Sequence, residues 1–148
     1  MSSRTFIILK PDALERNLVD QVMQRFLSAG FIIEHINYRN IDKELIHTHY
    51  DEVIKREGPE FEVWLDQCFV GKAALPMILL HPEDNGIKIA RALLGNRRPE
   101  KAEKGTIRGD FGIPVLDPDE PAMNLVHASD SEESFNKEKN LWFINDIN

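Results

Sequence analysis

Residues 123–134 read "MNLVHASDSEES", an apolar run with one histidine followed by small and acidic residues. The run through Ala128 reads as a strand. Ser129 with Glu132 three residues on matches a capping box, in which each side chain bonds the other's backbone N–H. The helix so opened carries Phe135, Lys139 and the "LWF" of 141–143. This junction decides the fold because it completes an order begun upstream. Thr5–Leu9 ("TFIIL") is β-branched and apolar, stops at Lys10-Pro11, and reads as a strand buried on both faces. Leu18, Val19, Val22, Met23, Phe26 and Leu27 recur at helical spacing, and Gly30 ends them. A second strand covers 31–39, and Asp42 caps a short helix through Tyr50. Another helix covers 60–70. A third strand covers 74–80, with Pro76 implying that one side of it is not fully paired. Ile87, Ile89, Ala90, Leu93 and Leu94 form a further amphipathic helix closed by Gly95. The order β-α-β, helical insert, β-α-β predicts an α+β fold: a ferredoxin-like, split-βαβ, four-stranded antiparallel sheet with covering helices.

The 148 residues, 42% of them hydrophobic, suit one domain spanning 1–148 with a substantial core. A formal net charge of −7 speaks against non-specific binding to nucleic acid or to a membrane surface. Any anion site must therefore be a local cluster of Lys and Arg. The single cysteine, Cys68, allows no internal disulfide and fits a reducing compartment. Phe6–Leu9 is too short for a signal-peptide core, and no run approaches the ~20 apolar residues that span a bilayer. A cytoplasmic protein is expected.

His127 at a strand end is, taken alone, most often a capped, half-buried ring. His47 and His49 alternate by two, and His35 and His81 lie in other elements, so no metal-ligand spacing emerges. No G-x-S-x-G supports a serine hydrolase. Phosphate chemistry suits the chain better. Lys10 ends the first strand, Arg91 lies on a helix, and Arg97, Arg98 and Arg108 lie in or beside the charge-dense segment 96–112. Phosphoryl transfer needs positive charge placed around oxygens that carry the negative charge. Arg98, Lys101 and Lys104 read as solvated surface charge. The Walker pattern and the protein-kinase motifs are absent, which leaves a histidine that itself carries the phosphoryl group.

Four stretches carry a resemblance. "NLVHASDSEES" resembles the active-site signature of nucleoside diphosphate kinases, Asn-x-x-His-[Gly/Ala]-Ser-Asp. "TFIILKPDALER" resembles that family's first strand, "KGTIRGDFG" its phosphate-binding segment and "KEKNLWF" its last helix. The resemblance implies a ping-pong transfer of the γ-phosphate from a nucleoside triphosphate to a nucleoside diphosphate through phosphohistidine at His127. It implies that Glu138 orients the imidazole and that Ser129 supports Glu138. Lys10, Arg91, Arg108 and Asn124 match residues that hold phosphates and ribose, Tyr50 matches a tyrosine near the phosphates, and Val115 an apolar residue covering one face of the base. Mg²⁺ is implied as a cofactor bound through the nucleotide's phosphates, with no dedicated carboxylate cage. A homo-oligomer, hexamer or tetramer, is implied, although the short tail after Trp142 removes contacts that longer members use. Broad tolerance of the base is expected.

The chain departs from the pattern in three places. The base-stacking phenylalanine usually follows a proline directly; here "GPEF" puts Glu60 in that slot, and Phe61 is expected to move into it, since a charged side chain stacks poorly. Arg97 stands where threonine is common and is expected to act as an additional phosphate clamp. Residues 116–123 look like an insertion beside the site, expected to point its acids to solvent. The rival readings are a non-catalytic scaffold relative and a phosphohistidine carrier that serves proteins.

Overall fold

The computed structural model describes residues 1–143; the expectation about the tail after Trp142 falls largely on 144–148, outside the described residues. In chain order the elements are β1 (Ser3–Leu9), α1 (Pro11–Glu15), α2 (Val19–Ser28), β2 (Ile32–Ile36), β3 (Arg39–Asn40), α3 (Lys43–His49), α4 (Asp51–Glu57), α5 (Pro59–Phe69), β4 (Ala73–His81), α6 (Gly86–Leu94), a 3-10 turn (Pro99–Lys101), α7 (Ile107–Phe111), β5 (Val126–Ala128) and α8 (Glu132–Trp142). The sheet runs β2-β4-β1-β5, every pairing antiparallel, with the short β3 added beside β4. This is the α+β, ferredoxin-like arrangement that the element order predicts.

β1 explains why a continuous apolar run sits in an antiparallel sheet. Successive side chains of a strand point to opposite faces. Ile7 and Leu9 join Met77 and Leu79 under α2 and α6, against Val22, Phe26, Ala90 and Leu94. Phe6 and Ile8 join Ile78 on the other face, under α3, α5 and α8, against Ile46, Leu65, Phe135 and Trp142. Helices cover both faces, so no residue of Phe6–Leu9 is more than 4% exposed. Burying each such side chain contributes roughly 1.5–3 kcal/mol. Pro76 falls where β2 pairing has ended at Met77 and β3 pairing, which begins at Ala74, is not yet reached. Its missing N–H therefore costs no ladder bond on that side.

The structure differs from the sequence-based expectation at the junction itself. The last strand starts at Val126, not Met123. The Val126 N–H donates to the Asn124 carbonyl at 2.8 Å, and Leu125 between them has φ +75°. This is a γ-turn in a strained backbone region that few side chains adopt. It breaks the strand so that Asn124 can turn toward Lys10. The capping box also fails. Ser131, not Ser129, caps α8 by accepting the Ser134 N–H, and the helix starts at Glu132. Ser129 is thereby released for another partner.

The segment 96–112 is not a loop throughout, because it holds the 3-10 turn and α7. Thr106 caps α7 by accepting the Gly109 N–H at 3.0 Å. A Cβ at Gly109 would stand 1.9 Å from the Glu103 carbonyl oxygen, a backbone atom that cannot swing aside. Gly109→Ala is expected to lower stability by about 1–3 kcal/mol through overpacking. Thermal unfolding checks this, and an unchanged Tm would show that the turn yields freely.

Candidate active site

β5 lies beside β1 in a register that sets His127 opposite Ile8. Directly paired residues share a face, so the imidazole emerges on the side covered by α3 and α8. There Glu138 of α8 meets it: both carboxylate oxygens lie 2.9 Å from His127 Nε2. The Ser129 hydroxyl donates to Glu138 Oε1 at 2.5 Å. A carboxylate only accepts, so Nε2 carries the ring proton and Nδ1 keeps its lone pair. The His127 side chain is 20% exposed. Its desolvation lowers its pKa below the ordinary 6.5, which outweighs the upward pull of Glu138; Lys10 and Arg108 push the same way as burial. The ring is neutral at pH 7.

His49, at the end of α3, packs edge-on against the His127 ring with centroids 4.6 Å apart. Trp142 Nε1–H donates to His49 Nδ1 at 3.0 Å. Because the indole can only donate, Nδ1 of His49 must accept and its Nε2 carries the hydrogen. Burial lowers the pKa of His49 well below 6.5. Neither His49 nor Trp142 stood out as a site residue in the sequence. The "HTHY" alternation was the only signal, and the pairing with Trp142 spans 93 positions.

The expected phosphate ligands converge at the same end of the sheet. Lys10 Nζ donates to Asn124 Oδ1 at 2.7 Å, and Asn124 Nδ2 donates to the Arg97 carbonyl at 2.8 Å. Burial, with Arg108 nearby, brings the Lys10 pKa down to about 7. Arg108 ties α7 to two other segments, donating to the carbonyls of Asn124 (3.1 Å) and Val126 (2.5 Å) in one and of Gly95 (3.2 Å) in the other. A guanidinium has five N–H donors, so two remain for a ligand. Burial lowers the Arg108 pKa to about 10, so it stays charged. Arg91 donates to the Ala128 carbonyl, next to His127, at 3.0 Å. Burial raises the Tyr50 phenol pKa, which keeps the hydroxyl protonated as a donor. Asp12, unremarked in the sequence, accepts the Leu125 N–H at 3.1 Å and so holds the γ-turn.

Phe61 lines a cavity with Lys10, Tyr50, Trp64, Arg97 and Asn124, whereas Glu60 lines only its outer continuation. The structure thus brings Phe61, and not Glu60, to the cavity that holds Lys10 and Asn124; Trp64 and Phe69, which sequence reasoning missed, line it too. Val115 is not brought there. It lines a separate hollow with Asp12, Arg16, Ile113 and Met123. Arg98 is not solvated charge either: its side chain is 13% exposed and pairs with Glu100 at 2.7 Å.

Among the described residues, His49, His127 and Glu138 form the one group whose ligand atoms lie close enough for a metal, within 4.8 Å of one another. Trp142 and Ser129 already engage His49 and Glu138, and two imidazoles do not suit a hard, oxygen-seeking ion. No helix among the described residues is long and apolar enough to cross a membrane.

A histidine with one nitrogen tied to a carboxylate, the other free, and cations around it can serve phosphoryl transfer. Comparison with known proteins agrees. The family model described as nucleoside diphosphate kinase matches residues 3–147. A nucleoside diphosphate kinase of Methanocaldococcus jannaschii is 36% identical over 146 residues, covering 99% of this chain and 96% of that protein. One from Trichormus variabilis is 38% identical over 141 residues, covering 95% and 87%. Among solved structures, a transition-state mimic of the Borrelia burgdorferi nucleoside-diphosphate kinase with bound vanadate and ADP superposes with a TM-score of 0.86, at 26% identity over 97% of this chain and 88% of that one. The apo enzyme of Encephalitozoon cuniculi superposes with a TM-score of 0.82 at 31% identity, covering 98% and 91%. The chain belongs to the nucleoside diphosphate kinase family, phosphotransferases that act on nucleoside di- and triphosphates.

Proposed function

We propose that His127 Nδ1 is the nucleophile of this kinase. The observation that carries the proposal is the double contact of Glu138 with Nε2, which leaves Nδ1 as the free, basic nitrogen. In the first half-reaction a bond forms between Nδ1 and the γ-phosphorus, and the bond from phosphorus to the bridging oxygen breaks. The nucleoside diphosphate leaves with the electron pair. The ring gains positive charge while Nε2 keeps its proton, and the Glu138 carboxylate stabilises it. The second half-reaction is the reverse, with another nucleoside diphosphate as acceptor. Lys10, Arg91 and Arg108 hold the phosphates, Asn124 and Tyr50 complete the inner wall, and the base lies toward Phe61. A divalent cation such as Mg²⁺, held through the nucleotide's phosphates, would neutralise part of their charge. Nucleotide exchange by the purified protein tests this: parallel lines in double-reciprocal plots are expected for ping-pong transfer, and intersecting lines would rule it out.

We also propose Arg97 as an additional phosphate clamp. Arg97 lines the same cavity as Lys10 and Asn124, and of the two acids that could instead pair with it on the outside, Glu100 and Glu103, Glu100 is taken by Arg98. A charge-assisted hydrogen bond contributes roughly 1.5–3 kcal/mol. Arg97→Ala should thus weaken nucleoside diphosphate binding by about tenfold or more at low salt, with a smaller defect at high salt. Wild-type affinity in this variant would remove Arg97 from the site.

The chain 1–148 acts as one domain, in the cytoplasm, as a homo-oligomer. Support for the last comes from β2, at the edge of the sheet, where Ile32, Ile33 and Ile36 are exposed at 61%, 36% and 55%. An apolar open edge favours pairing with another copy. Sedimentation at the monomer mass alone would exclude it.

A further inference from the structure

Residues 116–123 take no part in the phosphoryl transfer itself. We propose that this segment is the cover of the base pocket and that Arg98 is the latch that holds it closed. The proposal rests on the nucleotide reading and deepens it by naming what encloses the base.

Two cavities of about 120 and 250 Å³ share Phe61, Trp64, Arg97, Arg98 and Pro121 in their walls. The inner one reaches Lys10, Tyr50 and Asn124, the residues that meet phosphate and ribose. The outer one extends to Val53 and Glu57 of α4 and to Pro118–Pro121. A nucleotide with its phosphates at Lys10 thus lays its base along Phe61 and Trp64, whose ring centroids are 5.6 Å apart with planes 36° from parallel. Flat apolar faces are what a base stacks on. Phe69 adds to the inner end of that wall, and Pro121 with Ala122, both from the segment, supply a further apolar part of it. Val115, the residue expected to cover the base, lies in another hollow. Pro121 and Ala122 are half-buried, while Asp117, Asp119 and Glu120 are exposed. The segment therefore turns Pro121 and Ala122 inward and leaves its acids, with Leu116 and Pro118, outward.

A segment outside helix and sheet does not keep such a place unaided. Its internal bonds are few: Asp117 accepts the N–H groups of Asp119 and Glu120, at 2.9 and 3.1 Å. Arg98 supplies the tether. It donates to the carbonyls of Val115 (3.0 Å), Asp117 (3.1 Å) and Glu120 (2.5 Å), just before the segment, near its start and around its middle. Its Nε is held by Glu100 at 2.7 Å, and the other Glu100 oxygen accepts the Val115 N–H at 3.2 Å. A planar guanidinium reaches these carbonyls and Glu100 at once, which an ammonium on a flexible stem does not.

A cover that touches only the base makes the same contact in the ground state and in the transition state. Losing such uniform binding raises KM and leaves kcat alone. The test compares wild type with Arg98→Ala, which frees the segment, and Pro121→Gly, which keeps the latch and removes part of the wall. GDP binding is followed by quenching of Trp64 fluorescence, assigned by its loss in Trp64→Phe. Inorganic pyrophosphate, which has no base, is measured as a competitor. In Arg98→Ala the GDP affinity and KM should weaken by about fivefold or more, because the wall must be ordered anew at each binding event. Pro121→Gly should shift both the same way by less, with kcat and pyrophosphate inhibition within about twofold of wild type in both variants. Equal weakening of GDP and pyrophosphate would mean general damage to the site and overturn the proposal, as would unchanged GDP affinity in both variants. If Arg98→Ala does not fold, Pro121→Gly decides alone. A wild-type protein that binds GDP but exchanges no phosphate would sink the kinase mechanism and leave the cover standing.

Discussion

His127→Ala is expected to abolish the phosphoenzyme and to lower turnover by a factor on the order of 10⁴ or more, as removal of a covalent nucleophile does elsewhere. Wild-type protein incubated with labelled ATP and Mg²⁺ should give an acid-labile, base-stable adduct, the behaviour of a phosphoramidate. Labelling that persists in the variant would place the nucleophile elsewhere. The pH profile of the wild type carries the same argument. Nδ1 attacks only while its lone pair is free, and His127 titrates below 6.5 because burial disfavours its cation. The acid limb of kcat/KM should therefore lie below pH 6.5, with activity retained as pH rises through that value. Lys10 acts in the opposite direction. Its pKa of about 7 means that its charge fades above neutrality in the free protein, so phosphate binding weakens there. The profile should be a bell whose alkaline limb reflects KM more than kcat, since saturating nucleotide restores the Lys10 charge. A kcat/KM that is flat from pH 6.5 to 9 would remove Lys10 from phosphate binding.

The second large effect is expected at Glu138. In Glu138→Gln the amide oxygen can still accept from His127 Nε2, so the tautomer survives and the negative charge is lost. That charge matters most when the ring becomes cationic, after Nδ1 has bonded to phosphorus. A hydrogen bond to a charged group contributes roughly 1.5–3 kcal/mol, so kcat should fall about 10–100-fold while nucleotide affinity changes little. Ser129→Ala should move in the same direction by less, because Ser129 acts through Glu138. Equal losses in affinity and turnover would mean that the substitution disturbs the cleft and not the charged intermediate.

Local sequence carried the layered fold and the identity of the chemistry. The period-2 and helical runs mark where side chains must be buried, and burial is a property of each residue type. Phe6–Leu9, the α2 stripe, Asp42 as a cap and Gly95 as a stop were all legible for that reason. Lys10, Arg108, Asn124, His127 and Glu138 were named through the family's motifs, and the fold brings them to one end of the sheet. Where sequence reading failed, two local signals competed. Ser129 and Ser131 can both cap a helix start, and the outcome turned on Glu138, nine positions away along α8, drawing the Ser129 hydroxyl. "MNLVHA" suits a strand throughout, yet Asp12 and Lys10, more than a hundred positions earlier, hold Leu125 and Asn124 in a γ-turn. The pairing of His49 with Trp142 and the contacts of Arg98 were beyond local pattern, because each depends on partners that only the folded chain brings into hydrogen-bond distance. The sequence by itself determined which residues must be buried and which chemistry was on offer. The tertiary structure alone decided which imidazole nitrogen is free and which residues wall the cavity beside Lys10, since hydrogen-bond geometry and cavity walls are set by contacts between distant segments.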